Sequence, residues 1–257
     1  MLNYVKSELY KTVRRKYFWG LLLVCSALGV GVNVLLLLMK PQSNVDVTFA
    51  LATVGAMAMS ISYVCPLMMT DIVFGEEYKH QTMKNSVSFG ISRTEIFFGK
   101  FIAEFIVSII ALVTIFGTYT ASAFVLLGSN DAAVTAEITG IYFTRLFLML
   151  PLWIWSLALS HTLVFFLKNN FIFGLASVGI VLIIPMIFNQ YLIYAWPDFV
   201  IAVSPHLAFT KMQVLLGGSF NITDLGAACL EYWSAGLIRA IAVLALGVFL
   251  FRRKEIK

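Results

Sequence analysis

Residues 18–39 read FWGLLLVCSALGVGVNVLLLLM, a run without a single charged side chain. At about 1.5 Å of rise per residue, a helix of this length crosses the roughly 30 Å hydrocarbon layer of a bilayer. The run exceeds the apolar core of a cleaved signal segment, about 7–15 residues, and no A-x-A pattern precedes Lys40, so it reads as a retained span. Its apolar residues are continuous rather than alternating, which selects a helix over a barrel strand. Backbone N–H and C=O groups must be satisfied internally in lipid, and a helix does this within one segment.

Five further stretches have the same character: 48–70, 101–127, 141–167, 171–190 and 233–251. The whole chain agrees, with 60% hydrophobic and 12% charged residues among 257, about half the charge of a soluble domain. The expected fold is an all-α polytopic membrane protein with six transmembrane helices. The net charge of +5 falls beside the apolar runs, where it orients spans rather than binding nucleic acid. Lys6, Lys11, Arg14, Arg15 and Lys16 precede span 1. Lys79, Lys84, Arg93 and Lys100 follow span 2, Lys168 links spans 4 and 5, and Arg252, Arg253, Lys254 and Lys257 end the chain. The opposite side holds Lys40 and Lys211, with Arg145 and Arg239 near helix ends. Basic residues mark the cytoplasmic side, so both ends are expected there and the 128–140 loop outside. Cys25 and Cys65 fall in apolar helices and Cys229 in a later loop, with no disulfide or zinc pattern.

Three segments lie between or before the spans. In 1–17, Leu2, Val5, Leu9 and Val13 recur at helical spacing among basic residues, as in a helix lying in the membrane interface. In 71–100, a short helix is expected from Phe74 to Ser86. Gly90 then breaks the chain, and Ser92 with Glu95 forms a capping box. In 191–232, apolar pieces broken by Pro197, Pro205 and Gly217-Gly218 are too short to cross and suggest re-entrant helices packed on protein. Pro66, Pro151 and Pro185 are expected to kink their spans.

No G-x-x-x-x-G-K-[ST] loop occurs, since Gly99-Lys100 runs into Phe101, so this chain hydrolyses no ATP by that route. H-E-x-x-H is absent as well. Glu77 and His80 have the spacing of two metal ligands but lack the partners a site needs. An intramembrane enzyme would have to work with Glu76, Glu77 and His80, and a sensor or assembly protein would bind a partner without transport. Ion-coupled carriers keep ionisable groups inside their spans. Here Glu104 is expected to pair with Lys100 one turn away, Arg145 and Arg239 to snorkel, and His161 to be a packed polar residue. No ion relay is evident.

The 71–100 segment then acquires a meaning. Glu76-Glu77-Tyr78-Lys79-His80-Gln81-Thr82-Met83-Lys84, followed by Ser92-Arg93-Thr94-Glu95 and Gly99-Lys100, resembles a signature of exporter-type ABC transporter permeases of the bacterial peptide and drug efflux branch. The resemblance implies one permease domain with an interfacial N-terminal helix, six spans and re-entrant helices between the last two. It implies that 74–86 is a coupling helix docking on a separate ATP-binding subunit, with Glu76, Glu77, Thr82, Arg93 and Lys100 as the coupling residues. The link Lys168-Asn169-Asn170 would make a smaller contact. No cofactor is then expected in this chain, the partner binding ATP and magnesium. A second copy or a homologous permease would complete a pathway lined by spans 2 and 5, with Met57, Met59, Met68, Met69, Phe173 and Phe188 as candidates. The implied location is the bacterial cytoplasmic membrane. The implied cargo is an amphipathic or hydrophobic peptide, drug or lipid.

Overall fold

A computed structural model describes residues 1–41, 45–80, 86–167, 169–217 and 224–253, with backbone alone at 75–80 and 170. Every regular element among them is helical. Six helices are long and apolar enough to cross a membrane: Lys16–Met39, Val47–Phe74, Arg93–Leu127, Ala132–Val164, Phe171–Ala195 and Leu225–Arg253, here spans 1 to 6. A separate helix, Leu2–Val13, precedes them. The protein is therefore an all-α polytopic membrane protein.

Short polar residues set where the helices begin. The side chains of Asp46, Ser92, Asp131 and Asn169 each accept hydrogen bonds from backbone N–H groups of the helix that follows, filling donors left open in a first turn. Half of the expected capping box forms: Ser92 Oγ accepts from Glu95 N–H at 3.2 Å. The helix that Ser92 opens runs unbroken from Arg93 into span 3, as the capping box implies, and its polar first turns pack against the Leu2–Val13 helix. Residues 132–140, expected as loop, extend span 4, since Asp131 caps a breaker-free stretch. Cys229 lies within span 6 rather than in a loop.

Span 2 is interrupted at Tyr63–Val64, just before Pro66, whose ring removes a helical N–H. Leu67 N–H turns to the Val64 carbonyl, and the Tyr63 carbonyl that it leaves accepts from Ser156 Oγ of span 4 at 3.0 Å. Spans 2 and 5 also contain wide π turns, at Ala50–Val54, Gly179–Ile183 and Phe188–Leu192. Spans 4 and 6 pack most extensively. Their contact closes at Gly236, where a Cβ would stand 2.5 Å from the Pro151 carbonyl carbon and oxygen, backbone that cannot move aside.

Between spans 5 and 6, Pro197–His206 and Ala208–Leu216 form a pair bent by 76°. Two arginines hold it. Arg239 of span 6 donates to the His206 carbonyl, and Arg145 of span 4 donates to the Gly217 carbonyl at 3.3 Å. Each guanidinium therefore meets the carbonyl end of a short helix, where the helix dipole favours a cation. Their places near the ends of the spans predict side chains that snorkel toward water; the nearer helix ends receive them instead.

Candidate coupling face

The Leu2–Val13 helix buries Val5, Glu8 and Thr12, while Leu2 and Val13 are exposed. The expected apolar face is thus rotated, and an acid is turned inward. The cause lies in span 3. Lys100 is fully buried, and its Nζ stands 2.8 Å from Glu8 Oε2. Lys11 approaches the other oxygen of Glu8, also at 2.8 Å. A buried charge without a counter-charge is strongly unfavourable, so the helix presents the face that carries one. Burial pushes the Glu8 carboxyl up, but Lys100 and then Lys11 outweigh it and hold the group below its usual range. Gly99, beside the lysine, permits the docking: a Cβ there would stand 2.5 Å from the Tyr4 ring.

One turn further on, Glu104 lies within the electrostatic reach of Lys100, as their spacing implies, and meets a second partner across the bundle. Its Oε2 lies 3.0 Å from His161 Nδ1 of span 4, and both side chains are fully buried. His161 Nε2 lies 3.1 Å from the Phe97 carbonyl oxygen, which only accepts, so the hydrogen-bond pattern assigns a proton to Nε2. One further proton is shared between Nδ1 and Glu104, and the pair is neutral overall whichever side holds it. Aromatic rings enclose it, those of Phe74, Phe97, Phe101 and Phe165 all standing within 5.6 Å of the imidazole, centroid to centroid.

Phe74 joins the two pairs. Its ring lies 4.9 Å from Lys100 Nζ and 5.6 Å from the His161 ring, at the point where the 71–100 segment leaves span 2. The helix Cys65–His80 continues past this point. The side chains of Glu76, Glu77 and His80, and the whole of Thr82, lie outside the described residues. At the return of the segment, Arg93 donates to the Arg252 carbonyl at 2.9 Å and approaches that of Phe251 at 3.4 Å, and Arg252 Nε donates to Thr94 Oγ1 at 3.0 Å. Arg15 donates to the Ile72 carbonyl. Both ends of the 71–100 segment are thus fastened to the bundle, and Lys100 is internal rather than displayed.

Of the six proposed lining residues, Met57 and Met68 are exposed and Phe188 is half-buried. Met59, Met69 and Phe173 belong to apolar clusters within the single chain, and Met69 also lines a cavity beside spans 1 and 3. The buried pairs were missed because Glu8 and Lys100 stand 92 positions apart, and Glu104 and His161 57 apart. The signal available was two ionisable groups with no evident water-facing position. Among the described residues, no group of three His, Cys, Asp or Glu side chains is placed to hold a metal.

No curated protein is detectably similar to the chain. A family model described as ABC-2 family transporter protein matches residues 4–188, which span the Leu2–Val13 helix, both buried pairs and spans 1 to 4 with most of span 5. That match covers well over half of the sequence, and the chain belongs to the ABC-2 family of transporter proteins.

Proposed function

We propose that this chain is the permease subunit of an ATP-driven exporter, non-catalytic in itself and energised by a separate ATP-binding chain. Two such six-span units, identical or homologous, form the pathway in the cytoplasmic membrane of a bacterium, with both termini and the 71–100 segment on the cytoplasmic side. The bent pair between spans 5 and 6 is re-entrant from outside. The observation that supports the reading is the way both ends of the 71–100 segment are tied to polar groups of the bundle: Phe74 at its start, Arg93 and Lys100 at its end.

Closure of the ATP-binding subunits would press on 74–86. Phe74 would pass the displacement to Lys100 and His161, and through them to the N-terminal helix and to spans 3 and 4. Aromatic rings and paired charges in a packed interior move as a block rather than yielding, which suits a two-state switch. Glu76, Glu77 and Thr82 are the proposed contacts to the partner; Arg93 and Lys100 are positioning residues. Met57, Met68 and Phe188 are the proposed pathway surface, adaptable to amphipathic or hydrophobic cargo.

The test is gentle purification of the tagged full-length chain with ATP present. A stoichiometric ATP-hydrolysing subunit is expected, and Glu77→Lys is expected to release it while membrane insertion is unchanged. A preparation without any ATPase overturns the permease reading. Equal recovery of the ATPase with Glu77→Lys overturns the coupling contact.

A further inference from the structure

At the end of the bundle opposite the termini lies a half-open cavity of about 590 Å³ between spans 2 and 4 and the helix Ala208–Leu216. Leu51, Met57 and Leu216 give it apolar walls. Thr53 and Ser60 place hydroxyls on the span 2 side, and Arg145 lines it from span 4. No Asp or Glu is among its lining residues.

Like Arg239, Arg145 makes no ion pair among the described residues, whereas the buried Lys100 has Glu8; of the two arginines only Arg145 lines this cavity. Its Nη2 donates to the Gly217 carbonyl, while its Nε is buried and has no hydrogen-bond partner among the described residues. Arginine cannot shed its charge, so a guanidinium that lines a cavity within a span and has no counter-charge among the described residues calls for an anionic acceptor. The surroundings define that acceptor. A planar cationic fork matches a carboxylate or a phosphate, and the apolar walls beside it match a hydrocarbon chain.

We infer that this cavity binds an amphiphile with an anionic carboxylate or phosphate head, the head on Arg145 and the chain against Leu51, Met57 and Leu216. The role of that ligand as cargo rests on the export reading; its binding does not. The cavity is distinct from Arg93 and Lys100, which lie near the opposite end of the spans.

The experiment uses the purified full chain in an uncharged detergent without ATP or any partner, so the result is independent of transport. Radiolabelled oleate is the probe, oleyl alcohol its uncharged control, and short-chain phosphatidylglycerol and inorganic phosphate are competitors. Oleate should bind saturably and oleyl alcohol far more weakly. Loss of one charge-assisted contact corresponds to about ten- to hundredfold weaker binding, expected for Arg145→Gln. Arg145→Lys should fall between the two. Displacement by phosphatidylglycerol assigns the site to a lipid headgroup; displacement by oleate alone assigns it to a free single-chain amphiphile. Because Arg145→Gln also removes the bond to Gly217, Ala56→Phe serves as a second variant that fills the cavity and keeps that bond, and it should abolish binding as well. Equal binding of oleate and oleyl alcohol, displacement by inorganic phosphate alone, or oleate affinity unchanged in either Arg145→Gln or Ala56→Phe would overturn the inference.

Discussion

Replacing Lys100 with Met removes the ammonium from a site with no solvent exposure and leaves Glu8, itself 2% exposed, facing an apolar group. Breaking a buried ion pair from one side costs about 3–5 kcal/mol. Lys11 offsets part of this, since it also lies 2.8 Å from Glu8, but its own side chain is 48% exposed and solvent screens it. A net loss of about 2–3 kcal/mol is therefore expected at neutral pH. Glu8→Gln with Lys100→Met should recover much of it, because no unpaired charge then remains buried. The pH dependence gives a second reading. In the wild type, the Glu8 carboxyl lies below its ordinary value of 4.5, so its stabilisation is present above that value and is lost as pH falls through the lower, folded one. In Lys100→Met the main lowering partner is gone and burial raises the carboxyl, so stability should increase as pH falls and Glu8 takes up a proton. The chain supplies its own reporters: Cys25, Cys65 and Cys229 are partly buried free thiols, and a thiol-reactive dye followed against temperature reads unfolding. Equal melting of wild type and Lys100→Met at neutral pH, or a double variant whose losses simply add, would refute the reasoning.

Two further substitutions test other joints. Gly236→Leu forces a side chain against the Pro151 backbone and should separate spans 4 and 6, with a loss of about 3 kcal/mol or more in the same melting assay, whereas Gly31→Leu, at a position with open space, should be nearly silent. Arg93→Ala removes the donor to the Phe251 and Arg252 carbonyls and should speed amide hydrogen exchange near the end of span 6 several-fold, with span 1 unchanged as the internal control.

The spans were legible because length and continuous apolar character are local properties, and lipid permits few alternatives. The start of span 4 was less so, because 132–140 looks like loop when its Thr and Glu carry no apolar stripe. The capping box at Ser92 announces the helix that leads into span 3, but not that its polar first turns, Arg93–Lys100, pack inside the bundle beside Glu8. The N-terminal helix was foreseen with the wrong face inward for the same reason: hydrophobic spacing favours Leu2, Val5, Leu9 and Val13, but a buried lysine elsewhere outweighs one exposed leucine. Of the candidate site, Arg93 and Lys100 could be singled out from their motif. What they touch could not, because pairing across 92 or 158 positions is set by how the helices assemble. Arg145 and Arg239 were noticed as charges near helix ends, but their partners are carbonyls, which carry no side-chain signature.

The wide turns in spans 2 and 5 have one more consequence. Each is one extra residue wound into a helix, a dislocation rather than a fracture, with the backbone bonds rearranged rather than lost. A dislocation can glide. Shifting it along the helix by one turn rotates the side chains it passes by about 100° and leaves both helix ends where they were. Spans 1, 3, 4 and 6 show no such turn among the described residues. Spans 2 and 5 can therefore change which side chains they present without tilting or unwinding, a torsional freedom that the rest of the bundle does not share.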